Sequence, residues 1–238
     1  MKNWLLLLKG EVVRLFKYKI MWFGITLSLI WVLILSLSAE TEAKALMPFL
    51  LVMDTGMMSI ILLASSFYYE KQENTIKSLF VAPVSITQLL SAKIVASLLS
   101  GIISMALVGV AMALVHGVFI NYGLALIYVI LSTVAHVALG YIIVFYSVDF
   151  MSFLMKYMGL AVLLMVPVLL VLLGIIDDGN MYLAFLSPSF AAQYLIESVF
   201  VAKDGWFIAL GIAVLAAFPS VLYPLVVYPK FKAYAIRG

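Results

Sequence analysis

The fold is decided by residues 54–93, which read DTGMMSIILLASSFYYEKQENTIKSLFVAPVSITQLLSAK. The first part is an apolar run that is suited to crossing a membrane, and it passes without a Gly break into the polar run from Glu70 to Lys77. Pro83 follows, and a second long apolar run begins soon after it. The stretch predicts two membrane helices joined by a short connector that is too small to be a catalytic domain.

The composition of the whole chain agrees with a membrane location. Of its 238 residues, 66% are hydrophobic and 11% are charged, and the mean hydropathy is +1.23. Soluble domains contain about 25% charged residues. The sequence has no cysteine, so it offers no disulfide, no thiolate metal site and no cysteine nucleophile. We expect an all-α integral membrane protein.

Membrane-spanning helices need about 20 apolar residues each. Six runs meet this requirement: Ile20 to Ser38, Leu46 to Tyr69, Ile94 to Ile120, Gly123 to Ser147, Tyr157 to Ile176, and Gly205 to Tyr228. The sequence therefore predicts six transmembrane helices in one domain. Its predicted parts are an N-terminal helix (1–19), spans 1 to 5 (20–176), an outer hairpin (177–204), span 6 (205–228) and a tail (229–238).

The distribution of charge predicts the orientation. Cytoplasmic loops of membrane proteins carry an excess of Lys and Arg. With six spans, most basic residues fall on one side: Lys2, Lys9, Arg14, Lys17, Lys19, Lys71, Lys77, Lys93, Lys156, Lys230, Lys232 and Arg237. Lys44 and Lys203 fall on the other side. Six acidic residues lie on that side as well: Glu40, Glu42, Asp177, Asp178, Glu197 and Asp204. We expect both termini and the connector to be cytoplasmic, in the plasma membrane of a bacterium.

Two further elements are predicted outside the spans. Residues 1–19 place Trp4, Leu5, Leu8, Val12, Leu15 and Phe16 roughly on one helical face, which predicts an amphipathic helix in the cytoplasmic membrane interface, among lipid headgroups. It is either a membrane anchor or a gating elbow. On the outer side, Ser187-Pro188 has the form of a helix start. The sequence there predicts a broken, half-inserted hairpin.

The connector itself has the pattern of a rigid element. Glu73 stands four residues before Lys77, as in a helical ion pair. Ile76, Leu79 and Phe80 form an apolar edge, and Pro83 ends the helix. Ser85-Ile86-Thr87-Gln88 has the form of a capping box that starts the next helix.

At these residues the chain resembles the permease subunits of ABC-2 type transporters. The resemblance rests on Glu70, Thr75, Leu79-Phe80, Pro83-Val84-Ser85 and Lys93, which occur between spans 2 and 3 in the family's order. It extends to the amphipathic start, the six spans and the outer hairpin. The Glu-Lys-Gln-Glu-Asn-Thr run also resembles a branch of the family that is linked to drug export.

The resemblance implies a half-transporter. Two permease chains, identical or different, form the pathway, and each engages a separate ATP-hydrolysing subunit through the connector. The implied coupling residues are Glu70, Glu73, Thr75, Ile76, Lys77, Leu79, Phe80 and Pro83. The sequence contains no G-x-x-x-x-G-K-[ST] phosphate loop. We therefore expect ATP and Mg to bind to the partner subunit, no cofactor in this chain, and no nucleic-acid partner.

Asp54 is the most unusual residue of the second span. A charge at mid-span costs roughly 2.5 to 3.5 kcal/mol on insertion scales. Asp54 either lines the translocation pathway, together with Met57 and Met58, or is protonated or hydrogen-bonded to Thr55, Ser59 or a neighbouring helix. His116 and His136 have no carboxylate nearby in the sequence, so we expect polar packing and no metal site.

Two other functional classes compete with a transporter. An intramembrane lipid-modifying enzyme or protease needs converging titratable groups. Asp54 is isolated in the sequence, and no set of catalytic residues is predicted. A membrane immunity or scaffold protein that works without ATP remains the alternative.

Overall fold

The computed structural model describes residues 2–73, 75 and 83–231, without the side chains of Lys2 and Asp178. Within this part of the chain the secondary structure is helical, and six helices are long and apolar enough to cross a membrane. The predicted all-α architecture with six spans is confirmed. The connector helix lies largely outside the described residues.

The helices run in the following order. An N-terminal helix, α1, precedes the first span, α2. The second span consists of α3, a π-helical segment and α4, and the third to fifth spans are α5, α6 and α7. Two short helices, α8 and α9, come before the last span, α10. Their bounds are α1 Lys2–Lys17, α2 Ile20–Leu37, α3 Glu40–Val52, π-helical segment Met53–Met58, α4 Ser59–Gln72, α5 Ile86–His116, α6 Tyr122–Phe145, α7 Phe150–Leu172, α8 Met181–Ala184, α9 Pro188–Glu197 and α10 Gly205–Leu222. A second π-helical segment, Tyr223–Val227, continues α10, and the last span ends at Phe231.

Three spans begin earlier than the apolar runs predicted. The predicted starts were Leu46, Ile94 and Tyr157, whereas the helices begin at 40, 86 and 150. A charged residue lowers the mean hydropathy of the sequence around it, but it does not end a helix. Lys93 is buried inside α5, and Lys156 lies exposed in α7. The end of α5 at His116 also precedes the predicted Ile120, because Gly117 adopts a left-handed φ of 65° that terminates the helix.

The starts of α5 and α9 were predicted correctly. The Ser85 hydroxyl accepts a hydrogen bond from the Gln88 backbone N–H, and the Gln88 side chain accepts one from the Ser85 backbone. The Ser187 side chain accepts a bond from the Ser189 backbone N–H, with Pro188 in the first turn. Both capping predictions are confirmed. Each helix start thereby satisfies backbone donors that have no partner within the helix.

The bundle is organised around α6, which packs against α4, α5, α9 and α10. The short helix α9 lies between α3, α6, α7 and α10, and its residues from Pro188 to Ile196 are all buried. The segment predicted to form a broken hairpin thus contains two short helices, α8 and α9, and its half-insertion from the outer side stays a prediction. Irregular backbone at membrane depth must be shielded by protein in this way.

The outer surface of the bundle is apolar along α2, α7 and α10. Representative exposed side chains are Leu33 (58%), Met155 (74%), Leu163 (68%) and Leu225 (71%). Soluble monomers rarely expose continuous apolar surface on this scale. These faces are suited to contact with lipid.

Candidate functional site

The first helix is attached to the bundle through a mixed face. Lys19 has a left-handed φ of 62° in the turn between α1 and α2, and α1 packs against α2, α4 and α5. Leu15 and Glu11 are buried on this face, whereas Leu5 and Phe16 are exposed. The apolar face predicted from the sequence is thus divided between the bundle and the exterior, and a carboxylate lies on the inward side.

Glu11 belongs to a group of four charged residues, Glu11, Arg14, Glu70 and Lys93, which we call the ion cluster. Arg14 is partly buried and the other three are buried. The Lys93 Nζ atom is 2.7 Å from Oε1 of Glu11 and 2.7 Å from Oε1 of Glu70. The Arg14 Nη1 atom is 2.7 Å from Glu70 Oε1 and 3.2 Å from Glu11 Oε1. The cluster joins α1, α4 and α5 near the end of α4 that leads into the connector.

The charges and donors of the ion cluster are closely matched. Two carboxylates face two cations, and Lys93 also donates to the Ser66 hydroxyl, which in turn donates to Glu11. All three donors of the Lys93 ammonium group therefore have acceptors. Burial by itself raises the pKa of Glu11, but the neighbouring Lys93 and Arg14 outweigh this and lower it to about 2. Such matching is what allows charges to lie in a low-dielectric interior.

A second set of contacts lies at the exposed edge of the ion cluster. Glu73 accepts a short hydrogen bond from Tyr18, and its carboxylate is 3.4 Å from Lys17 Nζ. The hydrogen bond from Tyr18 lowers the pKa of Glu73, burial opposes this shift, and the hydrogen bond and charge of Lys17 add to the lowering. The Tyr18 ring stacks on Tyr69 with centroids 3.7 Å apart. The C-terminal end of α1 is thus attached to the end of α4.

The N-terminal end of α1 is attached to the other side of the connector. The Asn3 side chain donates to the Pro83 carbonyl at 3.3 Å, and Trp4 Nε1 donates to the Ser91 hydroxyl at 2.9 Å. Thr75 Oγ1 donates to the Glu70 carbonyl at 3.2 Å, close to the end of α4. Both described ends of the connector are therefore held by polar contacts, and α1 runs between them.

The structure describes half of the residues predicted to couple to an ATPase. Glu70 is 1% exposed and bound within the ion cluster, so its side chain is directed into the protein. Glu73, Thr75 and Pro83 lie at the accessible edges of the connector. The other four fall outside the described residues: Ile76, Lys77, Leu79 and Phe80.

Sequence reasoning missed the role of Glu11 and Arg14, and treated Lys93 only as the residue that opens the third span. One signal was present, because Glu11 lies between Leu8 and Leu15 at spacings of three and four, on the inward stripe of α1. A charge within an apolar stripe indicates a buried partner. The identity of that partner, 82 residues away in the case of Lys93, was not readable from this pattern.

Asp54 has neutral partners on two neighbouring spans. Its carboxylate accepts hydrogen bonds from Ser28 at 2.7 Å, Trp31 at 3.1 Å and Ser104 at 2.6 Å. We call these four residues the Asp54 network. Asp54, Met57 and Met58 are each no more than 2% exposed in the single chain. The bonds match the predicted contact with a neighbouring helix, but they involve neither Thr55 nor Ser59, and a pathway role stays a prediction.

The π-helical segment around Asp54 is supported by α6, which is itself bonded to α9. Thr133 Oγ1 donates to the Thr55 carbonyl at 2.9 Å, and His136 Nε2 lies 2.8 Å from the Ser189 hydroxyl. The His136 ring lies directly over Gly56, where an added Cβ atom would be 3.0 Å from it. His116 bonds to the Leu35 carbonyl at 2.8 Å, so the predicted packing role of both histidines is confirmed. In the part of the chain that is described, no three His, Asp or Glu side chains are placed to hold a metal ion.

The comparison with protein families identifies the chain. Residues 7–125 match the model of a family described as ABC-2 family transporter protein. The chain belongs to the ABC-2 transporter family. The match runs from α1 to the start of α6, so it contains both the ion cluster and the Asp54 network. No curated protein is significantly similar to the chain. As an ABC-2 permease, the chain is a multi-pass membrane component of a transporter.

Proposed function

We propose that this permease is the membrane half of an ATP-driven exporter. Two permease chains form the translocation pathway, and separate ATPase subunits bind ATP and Mg and dock on the cytoplasmic connector between α4 and α5. Closure of the ATPase subunits on nucleotide then moves the connector, and the connector moves the spans. Family membership supports the transport role.

The observation that carries this proposal is the ion cluster. A force applied to the connector reaches the spans only if its ends are firmly attached to them. Glu70 at the end of α4 and Lys93 in α5 are 2.7 Å apart at their charged atoms. Arg14 ties Glu70 to α1, and Glu11 ties Lys93 to it. Breaking a buried ion pair by removing one partner costs about 3 to 5 kcal/mol. Helices α1, α4 and α5 therefore move together under loads that leave the fold intact.

The docking part of the proposal is tested by co-purification. The permease is purified with an ATPase subunit encoded beside it, and a double variant combines Glu73→Lys with Leu79→Asp. We expect the double variant to bind the ATPase at least about tenfold more weakly, which corresponds to about 1.4 kcal/mol, because it replaces one apolar and one charged side chain of the proposed docking surface. Absence of any ATPase binding, or equal binding by the double variant, would contradict the proposal.

A matched control separates docking from general charge effects. Glu197 pairs with Lys203 at 2.6 Å, between α9 and the start of α10, at the predicted outer side. Glu197→Lys removes a comparable surface ion pair and is expected to leave ATPase binding unchanged. Weakened binding by both variants would indicate a general loss of folding, and the melting temperature of each variant decides this directly.

A further inference from the structure

A group of three lysines surrounds the turn between α6 and α7, residues 146–149. The Lys71 Nζ atom is 3.5 Å from the Val148 carbonyl, and Lys156 donates to the Tyr146 carbonyl. The Lys230 Nζ atom lies 5.0 Å from the centroid of the Tyr146 ring. We call Lys71, Lys156 and Lys230 the lysine group. All three side chains are exposed, and they come from three different spans.

The positive charge of the lysine group exceeds the negative charge around it. The two carbonyls that bind Lys71 and Lys156 are two residues apart, hence at most roughly 7 Å. The C-terminus of α6 supplies about half a negative charge, and the N-terminus of α7, at the same turn, offsets it with about half a positive charge. Asp149 supplies one more, and its carboxylate is already bonded to the Ser152 backbone N–H at 2.7 Å. Among the described residues, roughly two positive charges remain for an external anion.

A hollow adjoins the lysine group between α4 and the turn. It has a volume of about 240 Å³ and is lined by Tyr68, Lys71, Gln72, Val148, Asp149 and Phe150. A second hollow of about 170 Å³ shares Tyr68, Gln72 and Phe150 with it and extends to Ser65 and Tyr69. Each is several times the ~30 Å³ of a water molecule. The hollows offer polar groups beside aromatic walls, as a lipid headgroup region requires.

We propose that the lysine group, together with the hollow that Lys71 lines, binds the phosphate headgroup of an anionic membrane lipid. The position favours a lipid over a soluble anion, because the lysines lie at or near the ends of spans, where headgroups lie. Exposed apolar side chains run along the same helices, including Met151 (67%) and Met155 (74%) on α7 and Leu225 (71%) near Lys230. They provide a surface for the acyl chains of a lipid whose phosphate contacts the lysines.

The proposal is tested by native mass spectrometry of the full chain, purified together with any partner subunit that accompanies it. Phosphatidylglycerol and phosphatidylcholine are added in separate titrations. We expect phosphatidylglycerol to be retained more strongly. A basic side chain near a membrane surface contributes about 1 kcal/mol. Each of Lys71→Gln, Lys156→Gln and Lys230→Gln should therefore weaken phosphatidylglycerol binding roughly fivefold, and the triple variant roughly a hundredfold.

Three controls define the outcome. Lys44→Gln removes a lysine of α3 at the predicted outer side, where it pairs with Glu40 at 2.5 Å, and should leave binding unchanged. Replacing all three lysines of the group by arginine keeps the charge and should preserve binding, while the melting temperature in phosphatidylcholine checks folding. Equal phosphatidylglycerol binding by wild type and the triple glutamine variant would overturn the proposal. Displacement by inorganic phosphate at the same concentration would assign the site to a free anion instead.

Discussion

The ion cluster and the Asp54 network both connect the second span to the third, but they do so by different chemistry. The ion cluster joins α4 and α5 to α1 with two carboxylates and two cations. The Asp54 network joins the second span to α2 and α5 with one carboxylate and three neutral donors. Asp54 lies near the middle of the 33-residue helix Glu40–Gln72, whereas Glu70 lies near its end.

The difference follows from the cost of placing charges in a membrane. Each charge at the centre of a span costs roughly 2.5 to 3.5 kcal/mol on insertion scales, and the cost falls toward the ends. Neutral hydroxyl and indole donors can be inserted deeply at far lower cost. A connection made by four charges is therefore expected only near the membrane boundary, where its free-energy cost is lower. The ion cluster also adjoins the connector there. The deep connection is limited to hydrogen bonds.

The largest expected effect comes from breaking the ion cluster at its centre. Lys93→Met leaves Glu11 and Glu70 facing a single cation, and we expect the free energy of unfolding to fall by about 3 to 5 kcal/mol. The measurement is denaturant unfolding in detergent micelles. Adding Glu70→Gln restores the balance between Glu11 and Arg14, so the double variant should recover most of the loss. A double variant less stable than Lys93→Met would contradict the pairing.

Acid should weaken the ion cluster next. The pKa of Glu11 is lowered to about 2 from an ordinary value of 4.5. Its contribution to stability is therefore fully present above pH 4.5 and is lost as the pH falls toward 2. The melting temperature should be insensitive to Glu11 between pH 8 and 5 and should decline below 4.5. Glu11→Gln should show a shallower decline in that range, and an identical decline would argue against the assignment.

A smaller loss is expected in the Asp54 network. Asp54→Asn keeps one acceptor but places an amide donor among groups that donate, which should cost about 1 to 3 kcal/mol. We expect the variant to fold and to change the range of substrates that the assembled transporter accepts. Thr26→Val is the control, because Thr26 is exposed and bonds only within its own helix at 2.9 Å to Trp22. Unchanged transport by a normally assembled Asp54→Asn variant would remove Asp54 from the pathway.

The smallest effect should come from the exposed edge of the ion cluster. The Glu73 side chain is 29% accessible and its partner Lys17 is 64% accessible. Exposed pairs of this kind contribute less than about 1 kcal/mol. Glu73→Gln should lower stability by no more than that, and raising the salt concentration should reduce the difference further. A loss as large as that of Lys93→Met would show that Glu73 belongs to the buried cluster.

Local sequence patterns predicted the parts of the fold that depend on neighbouring residues. The capping box at Ser85 and Gln88 and the start of α9 at Ser187 and Pro188 involve residues within one turn of a helix, and both are confirmed. The starts of α3 and α5 were predicted too late, because charged residues such as Glu40 and Lys93 were excluded from the apolar runs. An apolar run takes no account of what each charged residue contacts. Their contacts are made by the fold.

The sequence by itself determined that this is an all-α membrane protein with six spans, because the cost of exposing backbone groups to lipid leaves long apolar runs no other form here. It also located the connector through its polar residues and Pro83. Only the tertiary structure decided that Glu11 and Arg14 meet Glu70 and Lys93, and that Asp54 meets Ser28 and Ser104. Such partners are tens of residues apart in the chain, and they are brought together by helix packing rather than by local spacing.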